Sequence, residues 1–294
     1  SGDRGPGYWQ QRADYAIEAV LDPDEKTLAG KATLRYVNAS PEPLAHLWLH
    51  VEQNLFAPES LGAKAFPGDA RYGNTEGSLG GMALESIKIA GKAAPFRIYD
   101  TLAKVDLPAV LAPMGGVVEL EIRWTVRLPE DGSDRMGFDD AAGGTIFLVA
   151  QWFPSVVKFD DVRGWNTLPY LGPGEFYTDF GDYDVAITVP RSHLVAATGV
   201  LQNPDETLTK TQIERLSAAA KSRTTSYIVT PEEAGTKAAR PDGGPSCTWR
   251  FKAADCRTFA FASSASFLWD AAATDGVLCQ SFYPREALPA WSRS

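Results

Sequence analysis

Histidine, cysteine and methionine each occur only three times in 294 residues. The cysteines, Cys247, Cys256 and Cys279, are odd in number and fit no zinc-knuckle spacing. So widely separated, they are expected to be buried apolar residues, and they do not define a redox compartment. An uninterrupted apolar run of about eighteen residues, the length a membrane-crossing helix needs, is also missing. Lysine and arginine form no cluster, and the net charge is −9. Nucleic acid is therefore excluded as a natural partner, because a phosphate-binding surface needs gathered cations. The polar opening, SGDRGPG, has no signal-peptide pattern. Helix-forming sequence is scarce as well; QIERLSAAAKS (212–222) is the best stretch, from its Ala, Glu and Lys content.

Apolar residues make up 44% of the chain, with 8 Trp, 10 Tyr and 14 Phe, enough for a large core. Period-two alternation dominates. In YAIEAVL, Tyr15, Ile17, Ala19 and Leu21 share a face; after the turn DPDEK, Ala32, Leu34 and Tyr36 do the same in KATLRYV, which predicts a hairpin. VVELEIRWTVRL places Val118, Leu120, Ile122, Trp124, Val126 and Leu128 on one side and charges on the other, the pattern of a half-buried strand. YDVAITVP and TSYIVTP add further strands. CTWRFK and CRTFAFA read as a hairpin turning at Ala253 to Asp255, which would keep Cys247 away from Cys256. A long Gly/Pro-rich loop is expected over 56–82. Many short strands with turn punctuation predict an all-β fold, a two-layer, mostly antiparallel β-sandwich.

Four sets of residues carry chemical interest. HLWLH (46–50) has the His-x-x-x-His spacing of a helical zinc site, with Asp69 as a distant third candidate, but Leu47 stands where the general-base glutamate belongs. The same spacing is even, so on a strand His46, Trp48, His50 and Glu52 would face outward over a buried row of Leu47, Leu49 and Val51. A helical stripe of Leu44, Leu47, Val51 and Leu55 fits the periodicity too. The pairs Asp139–Asp140 and Asp160–Asp161 could serve acid–base hydrolysis, but each adjoins glycine, where Asp usually completes a turn. The aromatics of 150–183, including Trp152, Phe153, Trp165, Tyr170, Phe176 and Tyr177, offer either a sugar- or peptide-binding surface or core packing. No nucleophile stands in a Gly-x-Ser-x-Gly setting, and the glycines of GSLGG and GPGEF lack the strand-to-helix context of a phosphate loop.

The stretch AQWFPSVVKFDDVRGWNTLPYLGPGEFYTDFGDYDVAITVPRSHLVAATG resembles the N-terminal domain of the zinc aminopeptidases, the gluzincin family of alanyl aminopeptidase and leukotriene hydrolase, and is closest to a bacterial branch. YWQQRADYAIEAVLDPDEKTLAGKATLRYVNASPEPLAHLWLHV resembles that domain's opening strands, and FAFASSASFLWDA its closing strand. The resemblance implies a saddle-like β-domain over 1–270, with 271–294 as linker and first strand of a truncated catalytic domain, the part similar to VLCQSFYPREALPAW. It implies a non-catalytic role: capping the active-site cleft and helping to bind the peptide N-terminus, with the protein's own catalytic domain and a peptide substrate as partners. No metal is expected in this chain, since neither HExxH nor Gly-x-Met-Glu occurs in it; zinc is expected in the full-length enzyme. Export from a bacterial cytoplasm accords with the branch. One substrate-binding residue carries over: Gln151, in AQWFP, matches a strand-end glutamine that lines the pocket for the substrate's first side chain. The alternative function is a free-standing β-sandwich module binding peptide or carbohydrate.

Overall fold

The structure is a computed structural model that describes residues 5, 7–65, 80–130, 135–172 and 174–291. Its strands, in chain order, are β1 (Arg12–Asp22), β2 (Thr27–Asn38), β3 (Leu44–His50), β4 (Gly81–Ile89), β5 (Lys92–Ala93), β6 (Phe96–Tyr99), β7 (Leu102–Leu111), β8 (Gly116–Arg127), β9 (Gly137–Ala141), β10 (Gly144–Val149), β11 (Ser155–Val156), β12 (Phe159–Asp160), β13 (Gly164–Trp165), β14 (Gly181–Pro190), β15 (Leu194–Ala197), β16 (Val200–Leu201), β17 (Ser226–Val229), β18 (Ser246–Cys256), β19 (Phe261–Ser264), β20 (Leu268–Thr274) and β21 (Val277–Tyr283). Four short helices join them: α1 (Leu61–Ala65), α2 (Pro204–Thr207), α3 (Lys210–Ala219) and α4 (Leu288–Trp291).

Eight strands form the main sheet, in the order β16-β18-β14-β1-β2-β8-β4-β5. Two four-stranded sheets, β15-β19-β10-β9 and β11-β3-β7-β6, supply the second layer, and β17-β20-β21 adds a smaller sheet near the end of the chain. The strand ladders run antiparallel except β1–β14. The alternation read from the sequence explains the layering. Tyr15, Ile17, Ala19 and Leu21 of β1, and Leu120, Ile122, Trp124 and Val126 of β8, are all buried. They share one core with Leu47 and Leu49 of β3, Val105 of β7 and Phe147 of β10. At the β1–β2 turn Asp22 Oδ1 accepts the backbone N–H groups of Asp24 and Glu25, each at 3.0 Å, and closes the hairpin the way Asx turns do.

One glycine is dictated by packing. Gly30 of β2 pairs with Trp124 of β8 on the inner face. A Cβ on Gly30 would meet Trp124 Cζ2 at 2.3 Å, so only glycine leaves room for the indole. The indole in turn donates from Nε1 to Trp152 O at 2.7 Å, and Trp152 Nε1 donates to Phe259 O at 3.0 Å. Both rings thus satisfy their N–H groups while fully buried, as buried tryptophans usually do.

The structure corrects four expectations. No hairpin turns at Ala253 to Asp255: β18 runs straight through to Cys256 because β14 is long enough to pair with it to the end. The irregularity there is a bulge, with Asp255 at φ 51° and its N–H given to Asp182 Oδ1. Cys247 and Cys256 are kept apart by lying at opposite ends of one strand, and Trp249, Phe251, Phe259 and Phe261 are buried although β19 belongs to a different sheet. Only Cys247 is a buried thiol; Cys256 is half-exposed and Cys279 exposed. Helix α3 starts earlier than 212, at Lys210, because Thr209 and Gln212 form a capping box that satisfies both backbone N–H groups at its start. Within 56–82, residues 61–65 are helical rather than loop; 66–79, including Asp69, lie outside the described residues.

Candidate functional site

HLWLH lies on β3, a strand and not a helix. Leu47, Leu49 and Val51 form the buried row. The outward face is less open than the alternation implies. His46 packs against Trp48 and Trp165, with ring centroids 6.3 and 6.2 Å away. His50 is largely covered because it sits between two neighbouring strands, paired with Leu102 of β7 and Ser155 of β11. Glu52 is not on the strand face at all. After Val51 the chain curls into a 3-10 turn, Glu52–Phe56, which folds Glu52 and Gln53 into the interior, each 3% exposed.

This turn buries polar groups, among them the Glu52 that the alternation placed on an outward face. His50 Nδ1 and Glu52 Oε1 stand 4.0 Å from each other. Burial pulls the His50 imidazole down to about 4 and pushes the Glu52 carboxyl up to about 8. At neutral pH both are therefore uncharged, and no ion pair forms. His50 Nδ1, Glu52 Oε2 and Gln53 Oε1 are buried without a hydrogen-bond partner among the described residues. The signal in the sequence was faint: two polar residues, Glu52 and Gln53, followed soon by Leu55 and Phe56.

Gln53 connects the turn to Gln151. Its Nε2 donates to Ala150 O at 3.1 Å, immediately before Gln151 and just past β10. Gln151 has φ 51°, in the left-handed region that non-glycine residues seldom enter. It is held there from both sides, through Ala150 by Gln53 and through Trp152 O by the Trp124 indole. Its half-exposed side chain makes no hydrogen bond among the described residues. Strained backbone of this kind persists only where surroundings over-determine it, and it concentrates at ligand-binding positions.

The remaining candidates resolve locally. Asp160 accepts the N–H groups of Val162 and Arg163 at 3.0 and 2.7 Å and the amide of Asn166 at 2.9 Å, a turn-closing role; these hydrogen bonds hold its carboxyl below the usual range against the opposing effect of burial. Asp139 and Asp140 lie on β9, where Asp140 accepts from Thr145 Oγ1 at 2.6 Å across the β9–β10 hairpin. Trp152 and Phe153 belong to the core, which removes them from any stacking surface. Trp165 and Phe159 pack together at 5.1 Å, and Tyr170 and Phe176 at 4.9 Å. A buried ion pair, Lys158 with Asp179, was not anticipated, because its partners lie far apart in sequence. Among the described residues no three His, Cys, Asp or Glu side chains are placed to hold a metal ion.

No family profile and no curated protein sequence matches the chain. Among solved structures it is similar to an M1 zinc metallopeptidase from Deinococcus radiodurans, with 16% identity and a TM-score of 0.48, over 94% of this chain and 47% of the other. A mutant of that peptidase bound to a Tyr-Ser-Ala substrate gives 15% identity and a TM-score of 0.49, over 94% and 48%. A two-domain M1 zinc metallopeptidase mutant bound to L-tryptophan gives 15% and 0.48, over 95% and 49%. The chain thus spans about half the length of the structures it matches.

Proposed function

We propose that this chain is the non-catalytic N-terminal β-domain of a longer zinc-dependent aminopeptidase, capping the cleft in which a separate catalytic domain works on peptide N-termini. The reading rests on the ordered sequence resemblance. The observation that carries it at residue level is Gln151, held in left-handed backbone with its amide unspent. A neutral amide can donate to and accept from a peptide at once, without introducing a charge into the cleft. The β20–β21 hairpin and the short helix α4 would form the passage from the capping domain into the catalytic one, where zinc would reside.

The test uses the product of the parent gene. That gene is expected to encode HExxH beyond this segment, and the product to release N-terminal residues from peptides. In it, Gln151→Ala should raise KM about tenfold with little change in kcat, the effect of losing one hydrogen bond made equally in ground and transition states. The present chain alone should neither bind zinc stoichiometrically nor hydrolyse peptides. A parent gene without HExxH, or hydrolysis by this chain alone, would overturn the reading.

A further inference from the structure

A second site lies away from Gln151, where the connection between β14 and β15 meets the loop 235–244. There a cavity of about 390 Å³ is lined by Arg191, Lys237, Arg240 and Asp242, with Ser192 and Gly243. Three cationic side chains face one carboxylate, in a protein whose net charge is −9. None of the three cations forms an ion pair among the described residues.

Arg191 is positioned rather than loose. Its Nε donates to Gly244 O at 2.6 Å and its Nη2 to Ser246 O at 2.8 Å. The guanidinium lies flat over Gly243, where an added Cβ would come within 2.4 Å of Cζ. These contacts fix the guanidinium at the rim of the cavity. Arg240 is 8% exposed. It donates from Nε to Ser192 O at 3.3 Å and from Nη1 to Ala239 O, and its Nη2 is buried without a partner. The nearby Cys247 thiol adds no negative charge, since burial pushes it up. The nearby Glu233 is engaged by Arg215 at 2.6 Å.

A buried guanidinium nitrogen without a hydrogen-bond partner is costly, and proteins seldom retain one uncompensated. Planar guanidinium forks match tetrahedral oxyanions, and a cavity this size takes a small ligand. We infer that the cavity between the β14–β15 connection and the 235–244 loop is an oxyanion site, taking inorganic phosphate or the terminal phosphate of a small monoester on Arg191 and Lys237, above Arg240. The site is independent of any peptidase role.

Titration calorimetry and thermal melts with inorganic phosphate, and separately with phenyl phosphate, test it at constant ionic strength against sodium chloride. Saturable heat and a rising melting temperature are expected. Both should weaken about tenfold or more in Arg191→Gln and in Lys237→Gln, each of which removes a charged hydrogen-bond donor. The Lys237 side chain is exposed and makes no hydrogen bond among the described residues, so Lys237→Gln retains the fold and decides the matter if Arg191→Gln does not fold. Arg223→Gln, an exposed cation elsewhere, should respond like the parent chain. Tighter binding of phenyl phosphate than of phosphate would point to the monoester, and the reverse to the free ion. A response absent from the parent chain, or equal in Lys237→Gln, would overturn the proposal.

Discussion

Two neighbouring regions of the core treat buried polar atoms in opposite ways. Around Trp124 and Trp152 both indole N–H groups reach a backbone carbonyl, and the chain of contacts runs unbroken to Phe259. Around His50, Glu52 and Gln53 three polar atoms are buried without partners among the described residues. The two regions touch through one hydrogen bond, Gln53 Nε2 to Ala150 O. Rigidity comes from the first region. The second carries groups whose protonation burial has displaced. Gln151 stands at the junction, held by one region and bordered by the other.

The largest expected effect would break the first region. Trp124→Ala removes a fully buried indole from opposite a glycine that cannot fill the space, and should destabilise the protein by about 3–5 kcal/mol in denaturant unfolding. A loss near 1 kcal/mol would mean that the indole chain does not hold the core.

A smaller effect should appear in the second region as a dependence on pH. Glu52 has its folded pKa raised to about 8, so its contribution is fully present below the unfolded value and is lost as pH rises through 8. His50 and His193 have theirs lowered to about 4, so their contributions are present above the unfolded value, 6.5, and are lost as pH falls toward 4. From about pH 4.5 to 6.5 Glu52 and His50 oppose each other, and His193 makes acidification destabilising. Above 6.5 Glu52 acts alone, and stability should fall by about 2 kcal/mol between pH 6.5 and 8. Glu52→Gln should flatten that upper window. If the slope persists in the variant, Glu52 is not its source.

The smallest effect would cut the link between the regions. Gln53→Ala should cost about 1 kcal/mol, the net worth of one hydrogen bond. It should also speed hydrogen exchange at residues 150–152 more than at Trp124 on β8. Uniform exchange changes would show that Gln151 is held by the indole chain alone.

Particular residues show how much of this was legible in advance. The faces of β1, β2 and β8 could be read directly, because each strand has one buried side and period-two alternation records that side. The strand over HLWLH could be read only as one of two options, since a spacing of four suits a strand as well as a helix. The supposed turn at Ala253 failed because nothing local distinguishes a turn from a strand that continues; the ten residues of β14 settled it by offering partners to the end. Gln151 was singled out only through the resemblance carried by AQWFP. Its left-handed backbone and its two restraints could not be read, because they come from Gln53 and Trp124, each remote in sequence.

By itself, then, the sequence determined that the fold is built from strands and which faces of β1, β2 and β8 avoid water, because alternation is local and leaves its mark within a few residues. Tertiary structure alone decided which buried polar atoms find partners: the covered His50, the folded-in Glu52, the Lys158–Asp179 pair, and the buried guanidinium of Arg240. Those outcomes depend on which distant strands arrive alongside, and burial changes the energy of a charge far more than any neighbour along the chain can.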